Sequence, residues 1–220
     1  MRIAAIVPAA GRGERLGQPV PKALLAVGGR TLVEHAVDGL ARAGVDTVVI
    51  AAPVDAVDQV RRLVPTAIVV AGGPDRCESV RLALAAIPAD VDAVLVHDAA
   101  RPFGSAEVVR RVVAALHDGA DAVIPVVPLA DTVKRVDDAG VVVETIDRST
   151  LRAVQTPQGF RRDVLAAAHD AKTGTVTDDA ALVEAIGVVV QTVEGDQSAF
   201  KVTTPWDLSV AEALWERGNR

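Results

Sequence analysis

Short runs of β-branched and small apolar residues recur along this chain, and segments of helical period separate them. That alternation is what most narrows the fold. The runs are IAAIVP, DTVVIAA, AIVVA, DAVLVH, DAVIPVV, RAVQT and GVVVQTV. After the first comes Leu32 to Ala43, where Leu32, Val33, Ala36, Val37, Leu40 and Ala41 share one helical face. Gly44 stops that helix, as Gly119 and Gly187 stop two later ones, while Ser105 and Thr204–Pro205 have the composition of helix starts. Strands alternating with helices imply a mostly parallel, twisted sheet covered on both faces, which predicts a three-layer α/β sandwich.

The core of such a sandwich must be aliphatic. Half of the residues are apolar but only 2 % are aromatic, so Val, Ala, Leu and Ile have to fill it. A length of 220 residues suits one domain, taken as 1–220. The connections are unequal. Those entering strands are short and plain: AGVD, IPADVD, DGAD. Those following strands hold the polar and glycine-rich stretches: GRGERLGQPVPK, GGPDRCES, DAARP, TPQG and EGDQSAFK. Ligands of open α/β sheets bind beyond the carboxyl ends of the strands, so a Rossmann-like arrangement gathers these signals at one edge.

Asp131 to Arg148, DTVKRVDDAGVVVETIDR, breaks the alternation and reads as a protruding β-hairpin arm spanning about 130–148, with an Asp-Asp-Ala-Gly turn. A lone hairpin is marginal in water. It therefore packs either on a second subunit, making a homodimer, or along the edge of the same sheet.

Charge and cysteine content restrict the partners. Acids exceed bases, 29 to 23, which argues against a nucleic-acid binder held by phosphate contacts. Cys77 is the single cysteine, so no internal disulfide forms and the reducing cytoplasm is the expected compartment. The opening MRIAAIVPAAG has some likeness to a signal peptide, but Pro8 interrupts a short apolar run, and it reads as a buried first strand. No stretch approaches the ~18 apolar residues of a membrane span, so a soluble protein with no membrane partner is expected.

Positive charge is concentrated locally. Residues 11–22 carry Arg12, Arg15 and Lys22 against Glu14. The loop is not a dinucleotide fingerprint, because Leu16 stands where the third glycine belongs, and it lacks the Gly-Lys-Ser/Thr of a P-loop. What remains is G-x-G-x-R followed by Pro21–Lys22. Gly11 and Gly13 let the backbone approach a ligand closely, amides can face phosphate oxygens, and Arg15 and Lys22 add full charge. A solvated turning loop is the plainer reading of the glycines alone.

Three further groups stand out. Asp75 and Glu78 have capping-box spacing, which places Ser79 in the first turn of a helix, where free amides favour polar acceptors. Asp98 ends a buried strand, where a carboxylate needs a partner. Arg101 can supply one; alternatively, Asp98 faces the crevice and holds Mg2+, or another divalent cation, through few carboxylates plus substrate phosphates. Thr177 precedes DDAALVEAIG and would cap that helix. His35, His117 and His169 have no metal-ligand spacing and read as structural.

The stretch PAAGRGERLG…PK resembles the opening of nucleotidyltransferases that join a sugar or polyol phosphate to a nucleoside triphosphate. With GGPDRCESV, VHDAARPF, DTVK, DR, QTPQGF, TDD and FKVTTPWDL in that order, residues 3 to about 212 resemble the 2-C-methyl-D-erythritol 4-phosphate cytidylyltransferase family. One departure is Ala23 after Lys22, where relatives often have Gln.

The resemblance implies transfer of CMP from CTP to 2-C-methyl-D-erythritol 4-phosphate. It implies that Pro8, Ala9, Ala10, Gly11, Gly13, Gly73, Ser79, Asp98 and Ala99 meet the nucleotide. It implies catalytic roles for Arg15, Lys22, Arg148 and Lys201, with Asp98 at the metal. It further implies that Asp98, Arg101, Thr132, Arg148, Thr156, Thr177 and Lys201 meet the second substrate, Thr132 and Arg148 serving the neighbouring subunit's site. Cytosine as the base comes from the resemblance alone. Rival readings are a ribitol 5-phosphate cytidylyltransferase and a nucleotide-binding module without catalysis. Lys134 with Arg148 on the hairpin favours the first substrate, and a sensor has no use for a second phosphate site.

Overall fold

The computed structural model describes residues 1–218 except Arg12, Glu14, Arg15, Gln18, Pro19 and 173–175. Arg15, expected to meet phosphate, therefore lies outside the described residues. The chain runs β1 (Ile3–Pro8), β2 (Ala26–Val27), β3 (Arg30–Thr31), α1 (Leu32–Arg42), β4 (Thr47–Ala52), α2 (Val57–Leu63), β5 (Ile68–Ala71), α3 (Arg76–Ala85) and β6 (Ala93–Val96). It continues through α4 (Ala106–His117), β7 (Ala122–Pro128), β8 (Val133–Val136), β9 (Val142–Ile146), β10 (Arg152–Val154) and β11 (Gln158–Arg161). The last elements are α5 (Arg162–Asp170), α6 (Asp179–Ala185), β12 (Val190–Glu194) and α7 (Pro205–Gly218).

Strands β5, β4, β1 and β6 are parallel neighbours in that order, and β12 joins β7 in parallel. Side chains alternate across this sheet. Ala5 and Val7 of β1, Val48 and Ile50 of β4, and Leu95 of β6 meet Val33, Val37 and Leu40 of α1 and Val109, Val112 and Leu116 of α4. Their neighbours Ala4, Ile6, Val49, Val94 and Val96 face Val80 and Leu84 of α3, Leu165 of α5 and Val183 of α6. Both faces being covered, the strands are apolar throughout, as the expected mostly parallel three-layer sandwich requires.

The sequence reading erred at two places here. Of the stretch TPQG, read as a loop, Gln158 and Gly159 begin strand β11, which lies antiparallel between β6 and β7, while Thr156 and Pro157 stay outside it. Its signature is faint because Gly159 breaks the β pattern. A Cβ there would stand 2.5 Å from Val112 Cγ1, so only glycine lets the strand lie under α4, while Phe160 beside it is fully buried. Thr177 does not cap α6. Asp178 does, its carboxylate accepting from Ala181 N at 3.1 Å and leaving Thr177 exposed outside the helix.

Other boundaries follow local chemistry. Asp75 accepts from Glu78 N and Ser105 from Glu107 N, and the three stop glycines all take positive φ. Thr31 and Glu34 form a reciprocal capping box at α1. Strands β8 and β9 make a separate two-stranded sheet, exposed almost throughout, not an edge of the main one. Its turn is held by Asp137, whose Oδ1 accepts from Ala139 N and Val141 N.

Candidate active site

Parallel pairing sets the carboxyl ends of β1, β4, β5 and β6 side by side, and the segments that leave β1, β5 and β6 meet around one cavity of about 280 Å³. From the first loop come Pro8, Ala9, Ala10, Gly11, Gly13 and Lys22. The segment after β5 contributes Gly73 and Ser79, the one after β6 Asp98 and Ala99, and the one before α7 Lys201. Segments far apart in sequence thus share one space, and it lies at the predicted edge.

Two glycines are required by close approach. Gly13 has φ +69°, and a Cβ on it would stand 2.7 Å from Lys22 Cβ, so the loop folds against the lysine stem only without a side chain. A Cβ on Gly73 would come within 2.3 Å of Glu78 Cγ. Gly73 N instead donates to Ser79 Oγ at 3.1 Å, and that hydroxyl donates to Asp75 O at 2.8 Å. Ser79 therefore closes the loop that shapes this wall.

Asp98 is the electrostatic centre. Lys201 Nζ lies 2.8 Å from its Oδ2, Arg76 Nε 3.3 Å from Oδ1, and Arg101 Nε 3.8 Å from Oδ2. Burial alone would raise this carboxyl, but Arg76 and Lys201 outweigh it and hold Asp98 well below the usual carboxylate range. Three cations share one carboxylate at a cavity that Lys22 also lines, a setting that attracts anions. Arg76, unremarked in the sequence reading, is the first residue of α3. Its place one residue after the Asp75 cap signals nothing more than an exposed first-turn arginine, and only packing brings it to Asp98.

Thr156 stands behind the cavity. Its Oγ1 accepts from Asp98 N at 3.0 Å and lies within hydrogen-bond distance of His97 Nδ1 at 3.0 Å, so it orients the strand end that carries the carboxylate. Burial pushes His97 from the ordinary 6.5 down to about 4, which keeps the ring neutral and able to accept. Its contribution to stability is complete above pH 6.5 and disappears as pH falls to about 4, because the unfolded chain takes up the proton first. Denaturant midpoints followed from pH 7 to 4 should report a loss of up to roughly 3 kcal/mol, most of it absent in His97→Gln. Equal slopes in the two proteins would contradict this assignment.

The remaining sequence candidates lie elsewhere. Arg101 is buried beside Asp98 and donates to Ala199 O at 2.7 Å and Val154 O at 3.2 Å, tying β10 to the chain before α7. Arg148 sits at the base of the hairpin, donating to Leu129 O at 3.2 Å, and it is exposed, as is Thr132. Neither these two nor Thr177 lines the cavity. Among the described residues no cluster of three or more His, Cys, Asp or Glu could hold a metal ion, and no helix is long and apolar enough to cross a membrane.

A mostly parallel α/β sandwich with a glycine-rich first loop, and one lysine and two arginines around a carboxylate at its strand ends, is the framework of a nucleotidyltransferase. The comparisons narrow the class. The model of the 2-C-methyl-D-erythritol 4-phosphate cytidylyltransferase (IspD) family matches residues 3–217, and this chain belongs to that family.

Curated relatives of that name include one from Frankia casuarinae, 59 % identical over 218 residues, covering 98 % of this chain and 82 % of the relative. Another, from Saccharopolyspora erythraea, is 53 % identical over 222 residues, covering 97 % and 99 %. Among solved structures, the 2-C-methyl-D-erythritol 4-phosphate cytidylyltransferase of Thermus thermophilus superposes with a TM-score of 0.84 at 39 % identity, covering 98 % of this chain and 100 % of that one. The 4-diphosphocytidyl-2C-methyl-D-erythritol synthase of Anaerococcus prevotii gives 0.87 at 32 % identity, covering 98 % and 96 %.

Proposed function

We propose that the chain transfers CMP from CTP to 2-C-methyl-D-erythritol 4-phosphate, releasing pyrophosphate. The observation that carries this reading is the convergence of Lys22, Arg76 and Lys201 with Asp98 beside the Gly11–Gly13 loop. A phosphate monoester has a second pKa of about 6, so near neutral pH it attacks without a protein base. An oxygen of that phosphate bonds to the α-phosphorus of CTP while the bond from α-phosphorus to the bridging oxygen breaks, and pyrophosphate departs with the electron pair.

The protein's task is to place two polyanions in line and to stabilise the charge that moves. Lys22, with Arg15, meets the transferring and leaving phosphates; Lys201 aims the incoming one. Asp98 is the carboxylate that both Lys201 and Arg76 reach, and among the described residues no group of three or more His, Cys, Asp or Glu could make a resident metal site. That donor set suits magnesium brought in with CTP, which Asp98 would help to hold beside the substrate phosphates. Bound in this way, the ion would neutralise phosphate charge.

The hairpin supports a homodimer. Val136, Val141, Val142 and Val143 are exposed on it, and Thr132 and Arg148 at its base miss their own chain's cavity, as they would if they served a partner's polyol phosphate. A lone buried thiol, Cys77, fits the reducing cytoplasm.

Pyrophosphate release tests the reaction. Of the common nucleoside triphosphates, CTP alone should support turnover, with 2-C-methyl-D-erythritol 4-phosphate and not ribitol 5-phosphate, and excess chelator should abolish it. Turnover only with ribitol 5-phosphate would reassign the substrate. Tight CTP binding without turnover would make this a binding module.

A further inference from the structure

Beneath the cavity, on the face where α3, α5 and α6 pack, runs a buried polar chain that the reaction outlined above does not use. Asp179 begins α6 and is fully buried. Its Oδ2 accepts from Arg76 Nη1 at 2.6 Å, and its Oδ1 lies 3.2 Å from His169 Nε2. The other ring nitrogen of His169, Nδ1, is 3.5 Å from Cys77 Sγ.

A thiol donor together with the Nε2–H tautomer satisfies all three contacts. The thiol donates to Nδ1, Nε2–H donates to the Asp179 carboxylate, and Arg76 donates to the same carboxylate from the opposite side. Burial pushes the Cys77 thiol up, so the proton this pattern needs stays on sulfur. Arg76 also donates from Nε to Asp98, so two carboxylates hold the guanidinium at two nitrogens and set its plane. Nη2 carries no bond to a described residue, and Arg76 lines the cavity.

A buried carboxylate is costly to desolvate, and an apolar side chain would pack this spot more simply. We propose that Asp179, steadied by His169, is a positioning residue for the nucleotide half of the site: it locks the Arg76 guanidinium so that the Nη2 edge meets an acceptor oxygen of the bound nucleotide. This rests on the reading of the cavity as the CTP site. Asp98 keeps Lys201 and Arg101 whatever happens to Asp179, so the second substrate should be insensitive to the change.

The test uses the full chain with Asp179→Asn, which keeps shape and removes charge. KM for CTP should rise ~10-fold while kcat and KM for the polyol phosphate stay within about twofold, the pattern of a lost charge-assisted bond that does not change on the way to the transition state. Arg76→Lys, which cannot span both carboxylates, should raise KM for CTP at least as much. The double variant should be no worse than Arg76→Lys alone, because Asp179 acts through Arg76.

If Asp179→Asn does not fold, His169 decides. His169→Leu should raise KM for CTP several-fold, and His169→Gln, which restores an N–H donor, should return it towards the wild-type value. An unchanged KM for CTP in folded Asp179→Asn, or losses that multiply in the double variant, would overturn the proposal, as would an indifferent His169→Leu. Absence of CTP turnover in the wild type would instead remove the reading beneath it.

Discussion

Lys22→Ala should fold normally and lose roughly 10²–10³-fold in kcat, the scale for removing one donor to transition-state charge. Lys22 follows Pro21 and opens a single 3₁₀ turn, Lys22–Leu24, whose Ala23 is buried, so its backbone is anchored independently of the ammonium. Its Cβ is the atom against which Gly13 packs, and alanine retains it, so the first loop keeps its seat. What alanine removes is charge at the cavity. Lys22 also helps to depress the carboxyl of Asp207 near the start of α7, but Asp207 accepts from Thr203 N and Thr204 N as well, so that helix start should survive. The decisive measurement is steady-state kinetics on a variant whose thermal unfolding matches the wild type. A loss confined to KM would make Lys22 a binding group, and near-normal kcat/KM would remove it from the reaction.

Deleting the hairpin, residues 131–148, and joining Ala130 to Ser149 through glycines should take the protein from the mass of two chains to that of one. Turnover should fall by ~10²-fold or more, as expected when a positioning group leaves. The arm forms its own two-stranded sheet, so the main sheet loses no strand, and a folded monomer is the expected product. Val136 is 53 % exposed and Val143 63 %, a surface that costs little to cover and exposes apolar area when left bare. A finer version mixes two inactive proteins, Lys22→Ala and Arg148→Ala. If Arg148 serves the neighbouring cavity, exchange of subunits yields one site with both residues intact, and activity returns. Unchanged mass after deletion, or no recovery on mixing, would remove the intersubunit role of Arg148.

Much of this was legible along the chain because parallel α/β sheets are repetitive. Runs such as TVVIAA and AVLV, buried on both faces, cannot be anything but interior strands once helices of period 3.6 lie between them. The loop asymmetry carried the cavity with it, since every strand of the parallel set ends at the same edge. The misses have equally physical causes. Strand β11 carries a glycine that its neighbours demand, so its pattern resembles a turn until α4 is laid over it. Thr177 and Asp178 are both good cap types, and the choice between them depends on which side chain reaches the amide of Ala181. Arg76 reads as a solvated helix start, and Asp179 as an acid in a first turn. Each means little until α3 and α6 are brought together.

The amino-acid order by itself determined the alternation of strands and helices outside β11, the aliphatic core and the edge that collects the polar loops, because these depend on periodicity and on chain direction, both local properties. Only the tertiary structure decided which charges share that edge: Arg76 with Asp98 and Asp179, and Lys201 with Asp98, pairs separated by 22 to 103 positions. Electrostatic partnership acts through distances of a few ångströms, and those exist only after the layers have packed.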